Sequence, residues 1–240
     1  MRTTNQTMQQ KAAVFSGAAL LVMTLAAFFA YGYVHSSLVI AGDEAATLKN
    51  IQESLSLFRL EILGWLIIIV TDVIVSWGFY LFLKPFHPGY ALLAGWLRLL
   101  YTAVLAIAVS QLIVAENIVR ASLEAASPSL AQQMMKAISA FEDIWSFGLI
   151  IFGLHLIAVG WTAMKTRKIP RVISILVVIA GFSYSFIHFM YSFLPQADSV
   201  TAIIEMILYA PMFVGELGFG IWLLIKGRKI LVHDSEMPRP

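Results

Sequence analysis

The sequence predicts an all-α, polytopic integral membrane bundle of six transmembrane helices with both termini cytoplasmic. Three observations carry this. Hydrophobic residues fill 60% of the 240 positions and charged residues 12%, with a mean hydropathy of +0.82, where ordinary soluble domains run at about 45–50% and about 25%. Six continuous apolar runs are each long enough to cross a hydrocarbon core, which takes about 20 residues of helix. Lys and Arg gather in alternate connections between those runs, as membrane orientation requires. A soluble globular fold is excluded.

The first run, 12–34, is longer than the roughly 7–15 apolar residues of a secretory signal, and no small-residue cleavage site follows it, so it reads as an anchor. Before the second run, 57–84, the stretch DEAATLKNIQESLS (43–56) opens on acidic residues suited to a helix N-terminus and contains no Gly or Pro. It predicts a short exterior helix. The third run is 89–117. The fourth, 140–164, is entered through SPSLAQQMMKAISAFEDIW, with Ser127-Pro128 at its start, and is expected to begin with an exposed turn or two. The fifth and sixth are 172–194 and 202–226. Strands are excluded, because these runs lack the alternation of barrel segments. Gly-Trp recurs at Gly64-Trp65, Gly95-Trp96 and Gly160-Trp161, read as interfacial aromatics beside helix-packing glycines. The organisation is a cytoplasmic tail (1–11), one six-helix domain (12–229) and a cytoplasmic tail (230–240).

Orientation follows from the basic residues. Arg2 and Lys11 precede the first run, Lys84 ends the second, Lys165, Arg167, Lys168 and Arg171 fill the fourth connection, and Lys226, Arg228 and Lys229 follow the sixth. All fall on one side if both ends are inside. The opposite loops, with Asp43, Glu44, Lys49 and Glu53, then Arg120, Glu124 and Lys136, then Asp198, are poorer in positive charge. The location expected is the cytoplasmic (inner) membrane.

Several chemistries are excluded. The chain has no cysteine, which removes disulfides, iron–sulfur clusters and thiolate sites. A net charge of +2 does not support a nucleic-acid partner. There is no HExxH, glycine-rich phosphate loop, GxSxG or CxxC. Bis-histidine haem needs two His at one depth, whereas His188 and His155 differ by roughly 10 Å. A mixed site of His155, Asp72 and Glu216 has no local spacing motif behind it. No cofactor and no metal are expected.

What remains is polar residues within apolar runs, each of which needs a partner or a wet cavity. At about 1.5 Å per residue from the cytoplasmic ends, Asp72 and Tyr184 lie about 18 Å deep, Arg98 and His155 about 13 Å and Glu216 about 15 Å. Five side chains from five helices thus share one layer of a core about 30 Å thick. Nearer the exterior lie Arg59, Glu61, Glu116, Asp143, His188 and Glu205. Helical phase joins the layers: Glu61 and Asp72 are eleven positions apart, as are Glu205 and Glu216, and Gly181, Tyr184, His188 and Tyr191 form one stripe. The pattern predicts a polar pocket opening outward, with Asp72 and Arg98 in contact on consecutive antiparallel helices.

Three functions fit. One is a binding or transport protein for a small molecule or ion, in which Arg98 supplies fixed charge, Asp72 and Glu216 counter-charge, and His155 and Tyr184 hydrogen bonds. Another is a membrane-embedded enzyme acting on a lipid or isoprenoid through His155 or a carboxylate. The third is an assembly or sensory partner whose polar layer only holds helices together. Partners expected are membrane lipids, a small-molecule or lipid ligand, and further copies of the chain.

The segments LFRLEILGWLIIIVTDVIVSWGFYLFLKP (57–85), LAGWLRLLYTAV (93–104), FGLHLIAVGWTAMKTRKIPRVISILVVIAGFSYSF (152–186) and GELGFGIWLLIKG (215–227) resemble a bacterial membrane family catalogued as domain of unknown function 4386. The resemblance covers almost the whole chain. It implies a six-helix membrane protein without an assigned activity, and a pattern that includes Asn50, Arg59, Asp72, Arg98, His155, Pro170, Gly181, Tyr184, Glu216 and Trp222. Where family members often carry Leu-Gly after the proline, this chain has Arg171-Val172-Ile173-Ser174, so the start of span five lacks that glycine.

Overall fold

The computed structural model describes residues 2–124 and 128–230, with side chains described over 8–123 and 129–230. Ser127 and positions 231–240 of the expected C-terminal tail lie outside the described residues. The elements are α1 (Arg2–Ala27), a π-helical run (Phe28–His35), α2 (Ser36–Leu38), α3 (Glu44–Glu53), α4 (Leu55–Leu83), α5 (Pro88–Glu124), α6 (Pro128–Met164), α7 (Arg171–Phe193) and α8 (Asp198–Ile225), with 3-10 turns at Pro195–Ala197 and Gly227–Lys229. No strand occurs among the described residues. Six helical stretches are long and apolar enough to cross a bilayer: Met8–Leu38, Leu55–Leu83, Pro88–Leu123, Ser129–Met164, Arg171–Phe193 and Pro195–Lys229. The chain is a multi-pass membrane protein.

Local chemistry sets the ends. Gly42, at φ +77°, makes the turn before α3, a conformation open to glycine without cost. Asp43 then caps α3, its Oδ1 accepting from the Ala46 N–H at 2.9 Å, which satisfies one of the orphan donors of the first turn. The short helix expected in 43–56 is therefore present. Pro88 and Pro128 start α5 and α6, where a missing N–H costs nothing. Both helices run to 37 residues, well past their apolar runs, because hydropathy reports lipid contact while a helix continues into polar surroundings.

One stripe of α4 is buried, at Phe58, Glu61, Trp65, Ile68, Asp72, Val75, Phe79 and Phe82, a strict three-four spacing. Leu60, Leu63, Ile67, Val70, Ile74 and Trp77 on its other face are exposed and suited to lipid. The same spacing recurs on α5, through Ala91, Ala94, Arg98, Tyr101, Leu105, Ala108 and Leu112. Small hydroxyl side chains bond within their own helices, as Thr102 does to Arg98 O and Thr162 to Ala158 O, so they enter the interior without an unmet donor.

Packing divides the chain into two units. The first comprises Met1–Val22, Thr71–Thr102 and Ser146–Pro240, and the second Met23–Val70 and Ala103–Trp145. Within the first, α6 and α7 meet through glycines. A Cβ on Gly153 would stand 2.5 Å from Gly181 O, and one on Gly181 would stand 2.6 Å from Gly153 O, so the two backbones touch. The start of α7 is packed tightly from the other side: a Cβ on Gly160 of α6 would stand 2.9 Å from Ser174 O. The glycine missing after Pro170 is thus supplied by the facing helix. In the second unit Gly64 meets Ala30 in the same way, at 2.9 Å.

The Gly-Trp pairs divide in consequence. Gly64 and Gly160 are packing glycines, whereas a Cβ at Gly95 would meet only ordinary contacts of 3.7 Å. Trp96 and Trp161 are exposed, and Lys165 lies over the Trp161 ring, as interfacial aromatics should be. Trp65 is buried among other rings, which corrects its interfacial reading.

Candidate functional site

The first unit builds its polar centre around Arg98, whose side chain is fully buried. Four residues, 84–87, join α4 to α5, which ties the depth of Asp72 to that of Arg98. Arg98 Nε donates to Asp72 Oδ1 at 2.8 Å, and Nη2 reaches the same oxygen at 2.6 Å. Arg98 Nη1 lies 3.2 Å from His155 Nε2, and Nη2 lies 3.7 Å from Glu216 Oε1. His155 Nδ1 is 2.8 Å from Ala94 O. A carbonyl can only accept and a guanidinium can only donate. His155 therefore carries its proton on Nδ1, donates to Ala94 and accepts from Arg98.

Two phenyl rings enclose the cation. Phe152 and Phe79 stand with their centroids 5.2 Å and 5.8 Å from the guanidinium carbon, within cation–π range. Phe79 also stacks on His155 at 6.0 Å and 18°. Tyr184 meets Phe152 edge-on at 5.2 Å and stacks on His188 at 6.2 Å. Four residues of the expected layer, Asp72, Arg98, His155 and Glu216, are thus joined by polar contacts, and Tyr184 meets them through the Phe152 ring.

The arrangement is incomplete in one respect. Two carboxylates face Arg98, and each keeps a buried oxygen, Asp72 Oδ2 and Glu216 Oε1, that accepts no hydrogen bond among the described residues. A buried acceptor without a partner costs on the order of 1–3 kcal/mol, and more when charged. Both open positions are acceptors when ionised, which suits a hydrogen-bond donor. A metal ion is poorly matched. No three His, Asp or Glu among the described residues are arranged to hold one, and Arg98 already occupies His155 Nε2 and Asp72 Oδ1.

The outer candidates form separate partnerships. Arg59 Nε pairs with Glu116 Oε1 at 2.8 Å, with the Arg59 side chain about half exposed. Asn50 donates to Leu38 O at 3.3 Å, tying α3 to the end of α2. His188 Nδ1 lies 2.9 Å from Ser146 Oγ, and the Tyr191 hydroxyl donates to Glu205 Oε2 at 2.7 Å. These last two belong to the first unit and extend its polar groups along α7 through Tyr184, His188 and Tyr191. Asp143 lines a groove with Glu44, Gln132, Met135, Lys136 and Ser139, which shares no residue with the Arg98 centre.

Glu61 leads to a constellation that sequence reasoning missed. In the second unit its Oε1 lies 2.7 Å from His35 Nδ1, and His35 Nε2 lies 3.2 Å from Glu142 Oε1. Trp65 Nε1 also reaches Glu61 Oε1, at 3.4 Å. Tyr31 stacks on His35 at 5.0 Å, and Trp65, Phe141 and Trp145 close around them at 4.8–5.9 Å. His35 sits at the edge of its apolar run and ends the π-helical segment, so a 3.6-residue period gives no hint of where it points.

An uncharacterized protein of Archaeoglobus fulgidus is 28% identical over 169 residues, covering 70% of this chain and 85% of its own. No solved structure matches. The model of the domain of unknown function DUF4386 matches residues 15–227, and the chain belongs to that family.

Proposed function

We propose that this protein binds or transports a small molecule carrying a cationic or hydrogen-bond-donating group, at the polar centre around Arg98, from the exterior side of the inner membrane. The observation behind this is the pair of open acceptors, Asp72 Oδ2 and Glu216 Oε1, beside a guanidinium facing two carboxylates. A single donor-bearing cation brings both the missing hydrogen bonds and the missing positive charge. The run of Tyr184, His188 and Tyr191 with Ser146 and Glu205 supports an approach along α7.

The test is a thermal-shift series on the full-length protein in detergent, using ammonium and alkylammonium chlorides against sodium and potassium at fixed ionic strength. An amine that binds raises stability by about 2.7 kcal/mol at a hundred times its Kd. Glu216→Gln is expected to abolish that increment while leaving unliganded stability nearly unchanged, since it keeps shape and removes only charge. If no amine stabilises the protein and Glu216→Gln itself costs about 1–3 kcal/mol, the centre is structural.

Orientation rests on the basic clusters at 84, 165–171 and 226–229. A membrane-impermeant thiol reagent applied to intact cells should label Ala45→Cys, in α3, and leave Thr166→Cys untouched. The native chain has no competing thiol. The reverse labelling overturns the orientation.

A further inference from the structure

The second unit contains a titratable cluster that the Arg98 centre does not use. His35 lies between two carboxylates, with one ring nitrogen facing each: Nδ1 to Glu61 Oε1 at 2.7 Å and Nε2 to Glu142 Oε1 at 3.2 Å. Burial falls off along the line. The Glu61 side chain is 0% exposed, that of His35 6% and that of Glu142 41%. At the buried end, Glu61 Oε2 accepts no hydrogen bond among the described residues. Rings shut water out of the middle of the line. Tyr31 covers one face of His35, Phe141 lies 5.8 Å away, and Trp65 and Trp145 pack behind them.

Carboxylate oxygens facing both ring nitrogens fix the proton count. Each of the two contacts holds one proton, so the three groups share two. Those protons have three arrangements: an imidazolium between two carboxylates, a neutral ring with Glu61 protonated, or a neutral ring with Glu142 protonated. The arrangements differ only in where each proton sits along its own hydrogen bond. From these contacts we infer that Glu142, His35 and Glu61 form a proton relay, in which the two shared protons shift together so that protonation passes between half-exposed Glu142 and buried Glu61 through the His35 ring. In the transfer the O–H bond of Glu142 breaks as Nε2–H forms, and Nδ1–H breaks as the O–H bond of Glu61 forms. One proton leaves the surface carboxyl, one arrives at the buried one, and the ring stays neutral in its other tautomer. The reverse sequence returns the proton to Glu142.

The backbone holds the ring for this exchange. His35 closes an eight-residue π-helical run, with the Ser36 N–H returning to Tyr31 O, and π turns of this kind gather at functional positions. The groups facing His35 are Tyr31 from its own segment, Glu61 from α4, and Phe141 and Glu142 from α6. Glu61 and Glu142 are the charged ones. A relay of this type leaves the amine reading of the Arg98 centre untouched, since the two clusters share no residue.

The experiment is nitrogen-15 NMR on full-length protein labelled at histidine and embedded in lipid bilayers, with the His35 signals assigned by their loss in His35→Gln. Proton sharing gives both ring nitrogens averaged shifts, between those of a protonated and a bare nitrogen. Glu142→Gln should remove the averaging at Nε2, and Glu61→Gln should remove it at Nδ1. Two fully protonated nitrogens in the unaltered protein, one protonated and one bare nitrogen there, or averaging that neither substitution changes, would overturn the relay and leave His35 as a static brace. Should Glu61→Gln fail to fold, the half-exposed Glu142→Gln decides alone.

Discussion

Arg98→Gln is expected to lower the stability of the protein in detergent by about 3–5 kcal/mol, the usual consequence of leaving a buried charge without its partner. Two carboxylates face that guanidinium, Asp72 at 2.6 Å and Glu216 at 3.7 Å. Removing it strands both and also opens the hydrogen bond to His155. Asp72→Asn alone should cost less, since Arg98 keeps Glu216 and the faces of Phe79 and Phe152. The double variant should cost less than the sum of the two, with a coupling of about 0.5–3 kcal/mol in a double-mutant cycle read by denaturant unfolding. Additive losses would mean that the pair does not act as a unit.

The second large effect concerns the crossing of α6 and α7. Gly181→Ala places a methyl group 2.6 Å from Gly153 O and 2.7 Å from the Ile157 nitrogen. Both obstacles are backbone, so no side chain can move aside and the helices must part. Overpacking of this sort costs about 1–3 kcal/mol, and Gly181→Leu should cost more. Gly218→Ala, inside α8, is the matched control, because a Cβ there meets nothing within 4 Å, and its stability should hold or rise by up to about 1 kcal/mol, since alanine favours the helix. Thermal unfolding of the three variants in one detergent makes the comparison. Phe152 and His155 are neighbours of Gly153 on α6, so the widened variants should also lose any amine-dependent stabilisation.

Much of the Arg98 centre was legible from counting. A residue's distance from the basic end of its run estimates its depth, and the four-residue link between α4 and α5 keeps the error for Asp72 and Arg98 small. The faces were harder to read. On α4 the interior stripe and the lipid-facing stripe are both apolar, so only Glu61 and Asp72 show which side turns inward, and Phe79 looks like any other phenylalanine until Arg98 is seen beneath it. Trp65 misled for a related reason, because an indole after a glycine suits a headgroup layer as well as an aromatic interior. His35 escaped because its segment abandons the α-helical period on which the phase argument depends.

That change of period bears on how the chain tolerates changes in length. A π turn accommodates one residue more than the α turn it replaces, without rotating the helix on either side of it. Losing one residue between Phe28 and His35 would let the segment close as ordinary α-helix, and Leu20 upstream and Leu38 downstream would still face inward. Elsewhere in these helices a single deletion turns every later side chain by about 100°, carrying buried polar groups such as Arg98 toward lipid. The first span is thus a place where one residue can be lost and the register of the helix kept, provided the imidazole that ends the π turn is kept.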